Sequence, residues 1–337
     1  MKITISDIAK KANVSTATVS RVLNNKSDVS DKTRKKIKKI IEEMDYNPSI
    51  IARGLSLNKT HTIGLIIPNI TNPYFPEIAK AIESKAEKEG YSVILYNTDN
   101  DYEKEMKILK IMQQKQVDGL IVSLTEKTKD YINKLFSKDF PIVQIDRKVI
   151  GLKCPSVITD NFLSGYKATK YLIDHSHTKI AHIVGLPDIQ NSIDRLNGYK
   201  QALEDHNIEL NDKYIVQGDQ TIESGYEEGK KLLQLKSTPT AIFSANDLMV
   251  IGVYNAAKEL SINIPSDISI IGHDNINISS IVNPTITTID QPKYKMGEKA
   301  TELLIDQLNG KNNISNKVYV SKLIERESVA RIERKIK

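Results

Sequence analysis

The sequence predicts an all-α head of helix-turn-helix type followed by an α/β body of two doubly wound lobes with parallel sheets. Three observations lead there. Residues 1–60 hold no Pro before Pro48 and no Gly before Gly54, and their apolar residues recur at helical spacing. From Ile63 onward, short apolar runs alternate with helical stretches, the pattern of strands covered on both faces by crossover helices. The length of 337 residues exceeds the roughly 250 at which a single core stops growing.

In the head, Thr4 or Ser6 is placed to cap a first helix that presents Ile5, Ile8, Ala9 and Ala12 on one face. Asn13-Val14 breaks the phase. Ser15 then caps a second helix, Thr16 to Leu23, which buries Val19, Val22 and Leu23 and leaves Thr16, Ala17, Ser20 and Arg21 for another surface. Two short helices joined by a short turn make a helix-turn-helix. Val29-Ser30-Asp31 starts a third helix with an apolar stripe of Ile37, Ile40, Ile41 and Met44 and an opposite face of Lys35, Lys36, Lys38 and Lys39. Ser49 to Leu57 is a short amphipathic segment that folds only with help, since isolated helices below about 12 residues are marginal in water.

In the body, Ile63 to Ile67, Ser92 to Tyr96, Asp118 to Val122 and Ile142 to Ile145 read as buried strands, with helices at 76–89, 103–115 and 128–138. A second set follows at Ile180 to Val184, Tyr214 to Val216, Ala241 to Phe243 and Ile268 to Ile271, with helices near 162–175, 192–206, 223–236 and 247–260. Ligands of open parallel sheets sit beyond the carboxyl ends of strands, so a cleft between two such lobes is the expected binding place.

Charge separates the two parts. The first 60 residues carry thirteen Lys or Arg against six Asp or Glu, a surplus of seven, while the whole chain is +6. A compact cationic unit on a near-neutral body fits a polyanion such as DNA, because phosphate contacts act through local charge density; a solvated basic face is the alternative. With 39% apolar and 27% charged residues the chain is neither disordered nor collagen-like. One cysteine, Cys154, makes no internal disulfide. Met1 to Ala12 shows no export signal and the longest apolar runs fall far short of the roughly 20 residues a membrane helix needs, so a cytoplasmic protein with no membrane partner is expected.

The six histidines show no metal-ligand spacing, His175-Ser-His177 reads as a helix end, and neither a phosphate-binding glycine loop nor a nucleophile elbow is present. No metal, no cofactor and no catalytic residue are expected, and the chain is read as not an enzyme.

The run TISDIAKKANVSTATVSRVLN from Thr4 to Asn24 resembles the opening of the lactose/galactose repressor (LacI/GalR) family, with ribose operon repressors as its nearest branch. Tyr46-Asn-Pro48 and Ala52-Arg-Gly-Leu55 resemble that family's hinge helix, and the likeness runs on to Leu323-Ile-Glu-Arg-Glu-Ser328. The resemblance implies a domain plan of 1–46 for the DNA-binding head and 47–62 for the hinge helix and linker. It further implies a body of periplasmic-binding-protein type, with one lobe of 63–161 plus 292–322 and the other of 162–291 plus 323–337.

It also implies roles. Thr16, Ala17 and Arg21 would meet base edges in the major groove, while Thr4, Ser15, Ser20 and Asn24 match positions that hold the phosphate backbone. Leu55 would wedge into the minor groove at the operator centre, which requires a homodimer and a palindromic double-stranded DNA site; packing against the body is the alternative for Leu55.

For the cleft, aromatic faces stack on a sugar ring, and carboxylates, guanidiniums and amides pair with vicinal hydroxyls. Asn72, Tyr74, Phe75, Asp146, Arg147, Arg195, Asn246, Asp274 and Gln291 are similar to the set enclosing the pentose in ribose-binding relatives, which favours a small sugar, ribose first. Gln220 stands where relatives place an aromatic from the second lobe, so one stacking face is absent. Ile189 and Asn191 replace polar base-reading positions of purine repressors. For Asp146 and Arg147 a structural ion pair is the plain alternative. The expected activity is a sugar-responsive transcriptional repressor of a ribose or pentose operon, released by sugar binding and coupled by allostery. Two rivals stand beside it: a global catabolite regulator with a phosphorylated carrier protein as co-effector, and a sugar transport receptor or cleft enzyme.

Overall fold

The computed structural model describes residues 3–23, 26–46, 59–136, 139–311 and 315–333. The chain divides into two compact units, Met1–His61 and Thr62–Lys337.

The first unit holds helices α1 (Ile5–Ala12), α2 (Thr16–Leu23) and α3 (Asp31–Glu43). Asn13 closes α1 in the left-handed region, φ 57°, which turns the chain into α2. Ile8, Ala9, Ala12, Val19, Val22, Ile37 and Ile40 form one small core, which leaves Lys35, Lys36, Lys38 and Lys39 of α3 exposed.

The second unit contains two six-stranded sheets. The first has the order β11-β5-β4-β3-β1-β2, built from β1 (Thr62–Ile67), β2 (Ser92–Asn97), β3 (Gly119–Val122), β4 (Ile142–Ile145), β5 (Ser156–Thr159) and β11 (Lys317–Tyr319). All its pairings are parallel. Helices α4 (Tyr74–Lys88) and α11 (Lys293–Leu308) cover one face through Ile78, Ile82, Met296 and Leu304. Helices α5 (Tyr102–Gln114) and α6 (Lys129–Leu135) cover the other through Leu109, Met112 and Ile132.

The second sheet has the order β12-β10-β9-β8-β6-β7, from β6 (Ile180–Val184), β7 (Ile215–Gln217), β8 (Ala241–Ser244), β9 (Ser269–Asp274), β10 (Thr287–Asp290) and β12 (Lys322–Ile324). Only the β10–β12 pair is antiparallel. Helices α7 (Asn161–Asp174) and α8 (Gln190–Asp205) pack on one face, and α9 (Ile222–Leu233) and α10 (Asp247–Glu259) on the other. The chain passes between the sheets three times: after β5, after β10 and after β11. Those crossovers bring the carboxyl ends of both sheets together.

A buried histidine in the second sheet gives a pH prediction. His182 stacks on Phe243 at 4.4 Å between centroids, and its Nδ1 meets the Phe243 carbonyl at 2.9 Å. Burial pushes its pKa down to about 4. In the unfolded chain this imidazole titrates near 6.5, so above that value it is neutral in both states and its contribution to stability is complete. As pH falls from 6.5 toward 4 the unfolded chain takes the proton first, and stability is lost. At about 1.4 kcal/mol per pH unit the loss approaches roughly 3 kcal/mol. His182→Phe keeps the stacking and removes this titration. Urea unfolding from pH 7 to 4 is expected to show a shallower acid decline for the variant than for the wild type.

Candidate functional site

The head's polar residues serve local structure first. The Asp7 amide donates to Thr4 Oγ1 at 3.4 Å and the Thr4 amide donates back to Asp7 Oδ2 at 2.9 Å, a capping box that starts α1, and the Thr4 hydroxyl donates to the same Oδ2 at 2.7 Å. That bond, with the Thr4 backbone contact, lowers the Asp7 pKa. Ser15 Oγ accepts from the Thr18 amide at 3.1 Å and starts α2. Thr16, Ala17 and Arg21 are exposed on α2, and Ser20 is half-buried. Arg21 meets Asp28 at 2.8 Å with both side chains about half exposed or more, a pair worth little in water and easily exchanged for another anion. Asn24 and Leu55 lie outside the described residues.

In the body, the ten residues Asn72, Tyr74, Phe75, Asp146, Arg147, Arg195, Gln220, Asn246, Asp274 and Gln291 line one cavity, together with Ile189 and Asn191. The first sheet supplies Asn72, which accepts the Tyr74 amide at 3.1 Å and so sets the first turn of α4. It also supplies Asp146 and Arg147 directly after β4. The second sheet supplies Arg195 from α8, Gln220 before α9, Asn246 as the cap of α10 and Asp274 at the end of β9. Gln291 sits on a crossover. Asp146, Gln220 and Asp274 have φ of 64°, 74° and 104°. Non-glycine residues adopt such values uncommonly, and here the surrounding structure holds three of them around one cavity.

Tyr74 and Phe75 are the aromatic residues among those lining the cavity; they meet edge to face, 5.0 Å apart at 86°. Both come from the first sheet's side, and Gln220 faces them from the other. The Tyr74 hydroxyl donates to Asp146 Oδ1 at 2.8 Å and lies 3.3 Å from Gln291 Oε1. Gln291 Nε2 donates to Asp274 Oδ1 at 2.9 Å, and Asn191 Nδ2 reaches the Asp146 carbonyl at 3.2 Å. The free volume left between these side chains is about 20 Å³, room for about one water. It adjoins a larger cavity of about 260 Å³ that shares Asn72, Phe75, Arg147 and Gln220 with it.

Burial dominates the electrostatics. It raises the Asp146 pKa, with Arg147 pulling the other way, and it lowers that of Arg147, with Asp146 opposing. The two side chains stand 4.0 Å apart. Arg147 Nη2 donates to Asn100 at 2.8 Å, whereas its buried Nη1 has no partner among the described residues. Arg195 is fixed by Asn161 Oδ1 at 2.8 Å and the Ala245 carbonyl at 2.6 Å. A small polar ligand entering here meets two guanidiniums, two carboxylates and five amides in a buried setting, where hydrogen bonds discriminate strongly.

Sequence reasoning passed over the residues that hold this set in place. Thr159 donates to Gln291 Oε1 at 2.6 Å. Lys293, 3% exposed, donates to the carbonyls of Asp274 and Asn275 at 2.7 and 3.1 Å. Its signal was adjacency to Gln291 in a Gln-Pro-Lys run. His175 ends α7 as its C-cap residue. Among the described residues, no three His, Cys, Asp or Glu gather as a metal site, and no helix is long and apolar enough to cross a membrane. Cys154 is half-buried, its thiol pushed up to about 12 by burial.

Residues 4–49 match the pattern of bacterial regulatory proteins of the lacI family, and residues 169–329 that of a periplasmic binding protein-like domain. Catabolite control protein A of Priestia megaterium is 39% identical over 326 residues, 96% of this chain and 98% of that protein. The HTH-type transcriptional repressor PurR of Serratia proteamaculans (strain 568) is 39% identical over 330 residues, 97% of each. Among solved structures, the lac repressor dimer bound to operator and the anti-inducer ONPF is similar with a TM-score of 0.88 at 26% identity, covering 98% of this chain and 100% of that one. A LacI family transcriptional regulator from Enterococcus faecium with bound ribose has a TM-score of 0.72 at 29% identity, covering 81% and 100%. Both sequence relatives are regulators rather than enzymes. The chain belongs to the LacI family of bacterial transcriptional regulators, a DNA-binding helix-turn-helix head followed by a periplasmic-binding-protein-like body.

Proposed function

We propose that this regulator is a cytoplasmic homodimeric repressor that binds a palindromic operator and is released from it by a small sugar, ribose first among candidates. The observation that carries the reading is the convergence of ten residues between Asn72 and Gln291, from loops and helices at the carboxyl ends of both sheets, on one buried polar cavity. Carboxylates, guanidiniums and amides so arranged suit a polyol. The similarity to a ribose-bound family member supports the same choice. The test is calorimetry of the full chain against pentoses, hexoses and purines: heat with a pentose supports the reading, and heat with a purine alone overturns it.

In the head, Thr16, Ala17 and Arg21 read bases, while Thr4, Ser15, Ser20 and Asn24 hold phosphates and Leu55 wedges the centre. Arg21→Ala is expected to weaken operator binding by about 10- to 100-fold, the loss of one guanine contact worth roughly 1–3 kcal/mol. Fluorescence anisotropy of a labelled duplex checks it, and an unchanged thermal midpoint would show that the head still folds. The boundaries 1–46, 47–62, 63–161 plus 292–322 and 162–291 plus 323–337 belong to this reading.

The 39% identity to catabolite control protein A favours a second reading, in which a phosphorylated carrier protein raises DNA affinity. It makes no use of the polar cavity. Substituting Asp146 would then leave regulation intact, which separates the two.

A further inference from the structure

We propose that the Tyr74 hydroxyl is a resident competitor for the effector: it holds the Asp146 oxygen that a sugar hydroxyl takes on binding, and it thereby sets how tightly a sugar is held. The inference rests on the sugar reading above. Tyr74 is 2% exposed, and its hydroxyl reaches from the start of α4 to Asp146 Oδ1 at 2.8 Å and to the crossover residue Gln291 at 3.3 Å. A phenol has one proton, so the nearer carboxylate receives it.

The neighbouring acceptors are also engaged by the protein. Gln291 Oε1 accepts from Thr159 at 2.6 Å, and Asp274 Oδ1 accepts from Gln291 Nε2 and lies 2.9 Å from His273 Nδ1. Asp146 further receives Asn191 at 3.2 Å on its carbonyl and 3.4 Å on Oδ1. Yet a donor, Arg147 Nη1, is buried without a partner among the described residues. The cavity therefore presents an open donor beside two carboxylates whose Oδ1 atoms the protein already engages.

A sugar hydroxyl both donates and accepts. It accepts from Arg147 Nη1 without breaking a protein contact. One hydroxyl can donate to Asp146 Oδ2 with nothing displaced, but a vicinal pair that takes both carboxylate oxygens has to displace Tyr74 from Oδ1. Removing the phenol oxygen while keeping the ring against Phe75 raises the energy of the empty cavity and leaves the filled one nearly unchanged. Tyr74→Phe should therefore bind sugar about tenfold more tightly, ~1.4 kcal/mol, in line with one hydrogen bond to a charged group.

Calorimetry of D-ribose, D-xylose, L-arabinose and a set of hexoses against the full-length wild type and Tyr74→Phe tests this. A sugar that binds the wild type and binds the variant about tenfold tighter supports the inference. Equal or weaker binding by the variant overturns it and leaves the sugar reading standing, because the hydroxyl would then contact the ligand or do nothing. No heat from either protein with any sugar overturns both. Should the variant fail to fold, a crystal structure of the wild type with the bound sugar decides. A sugar hydroxyl on Asp146 and Tyr74 Oη beyond hydrogen-bond distance support the inference; a retained Tyr74–Asp146 bond overturns it.

Discussion

Gly165→Ala is expected to lower the stability of the body by about 1–3 kcal/mol, the range for overpacking a tight interface, and to weaken effector binding with it. Helices α7 and α8 cross at Gly165 and Gly198, so closely that a Cβ on Gly165 would lie 2.2 Å from the Arg195 carbonyl oxygen and one on Gly198 2.1 Å from that of Phe162. Backbone is in the way, and backbone cannot turn aside as a flexible side chain does. Alanine's better helix propensity offers up to about 1 kcal/mol in return, too little to offset the separation of two helices. Since the clash falls on Arg195 itself, whose side chain bridges Asn161 and Ala245 into the cavity, the site moves with the helix.

Gly229→Ala is the control. Its added Cβ meets Val253 Cγ2 at 3.0 Å and Val253 Cα at 3.2 Å, a tight contact relieved by a shift of a few tenths of an ångström rather than an overlap with a carbonyl oxygen, so that rearrangement and the propensity gain nearly cancel. Thermal unfolding of the two variants should separate them by several degrees. Equal midpoints would mean that the helix crossing is looser than described.

Asp146→Asn is expected to leave operator binding intact and to reduce effector affinity about 100-fold, so that the sugar no longer releases DNA. The carboxylate is 5% exposed and takes the Tyr74 hydroxyl at 2.8 Å. A carboxylate accepts from two vicinal hydroxyls, and each such charge-assisted bond is worth roughly 1.5–3 kcal/mol. Asparagine keeps the shape and one acceptor, so the loss corresponds to about 2.7 kcal/mol, two factors of ten. The same change reduces the charge facing Arg147 at 4.0 Å, which costs some stability without unfolding the body, because Asn100 still holds the guanidinium at 2.8 Å. Regulation that survives Asp146→Asn would point to a co-effector bound elsewhere.

Local signals carried much of this architecture. The caps Thr4, Ser15 and Ser30 and the left-handed Asn13 delimit the head's helices, and such signals are local. Runs such as Ile63–Ile67 were legible because strands buried on both faces are apolar throughout. Strands β5 and β10 were not singled out. Ser156, Thr159, Thr287 and Thr288 are polar and yet almost wholly buried, held by bonds such as Thr287 N to Ser328 Oγ at 2.8 Å. Hydropathy does not register a polar residue whose partner lies forty residues away. Helix α11 carries a readable stripe of Met296, Ala300, Leu303 and Leu304, but its return to the first sheet is a matter of topology.

The cavity residues were recognisable by their likeness to the pentose-enclosing set of ribose-binding relatives, and Gln220 by the missing aromatic. What no pattern revealed is that Tyr74, Asp146, Gln291 and Asp274 bond to one another across the cavity. That depends on side-chain directions set by three crossovers distant in sequence.

The central claim is a linkage between the body's polar cavity and the head's grip on DNA. For such a switch the sugar must bind the DNA-incompetent arrangement more tightly, typically by about 1–3 kcal/mol. The direct measurement is fluorescence anisotropy of the full chain on a palindromic duplex selected from random-sequence DNA, with D-ribose titrated to millimolar concentration. The account predicts a fall in affinity of about 5- to 150-fold that is abolished by Asp146→Asn. Duplex affinity unchanged by ribose and every related pentose would contradict it.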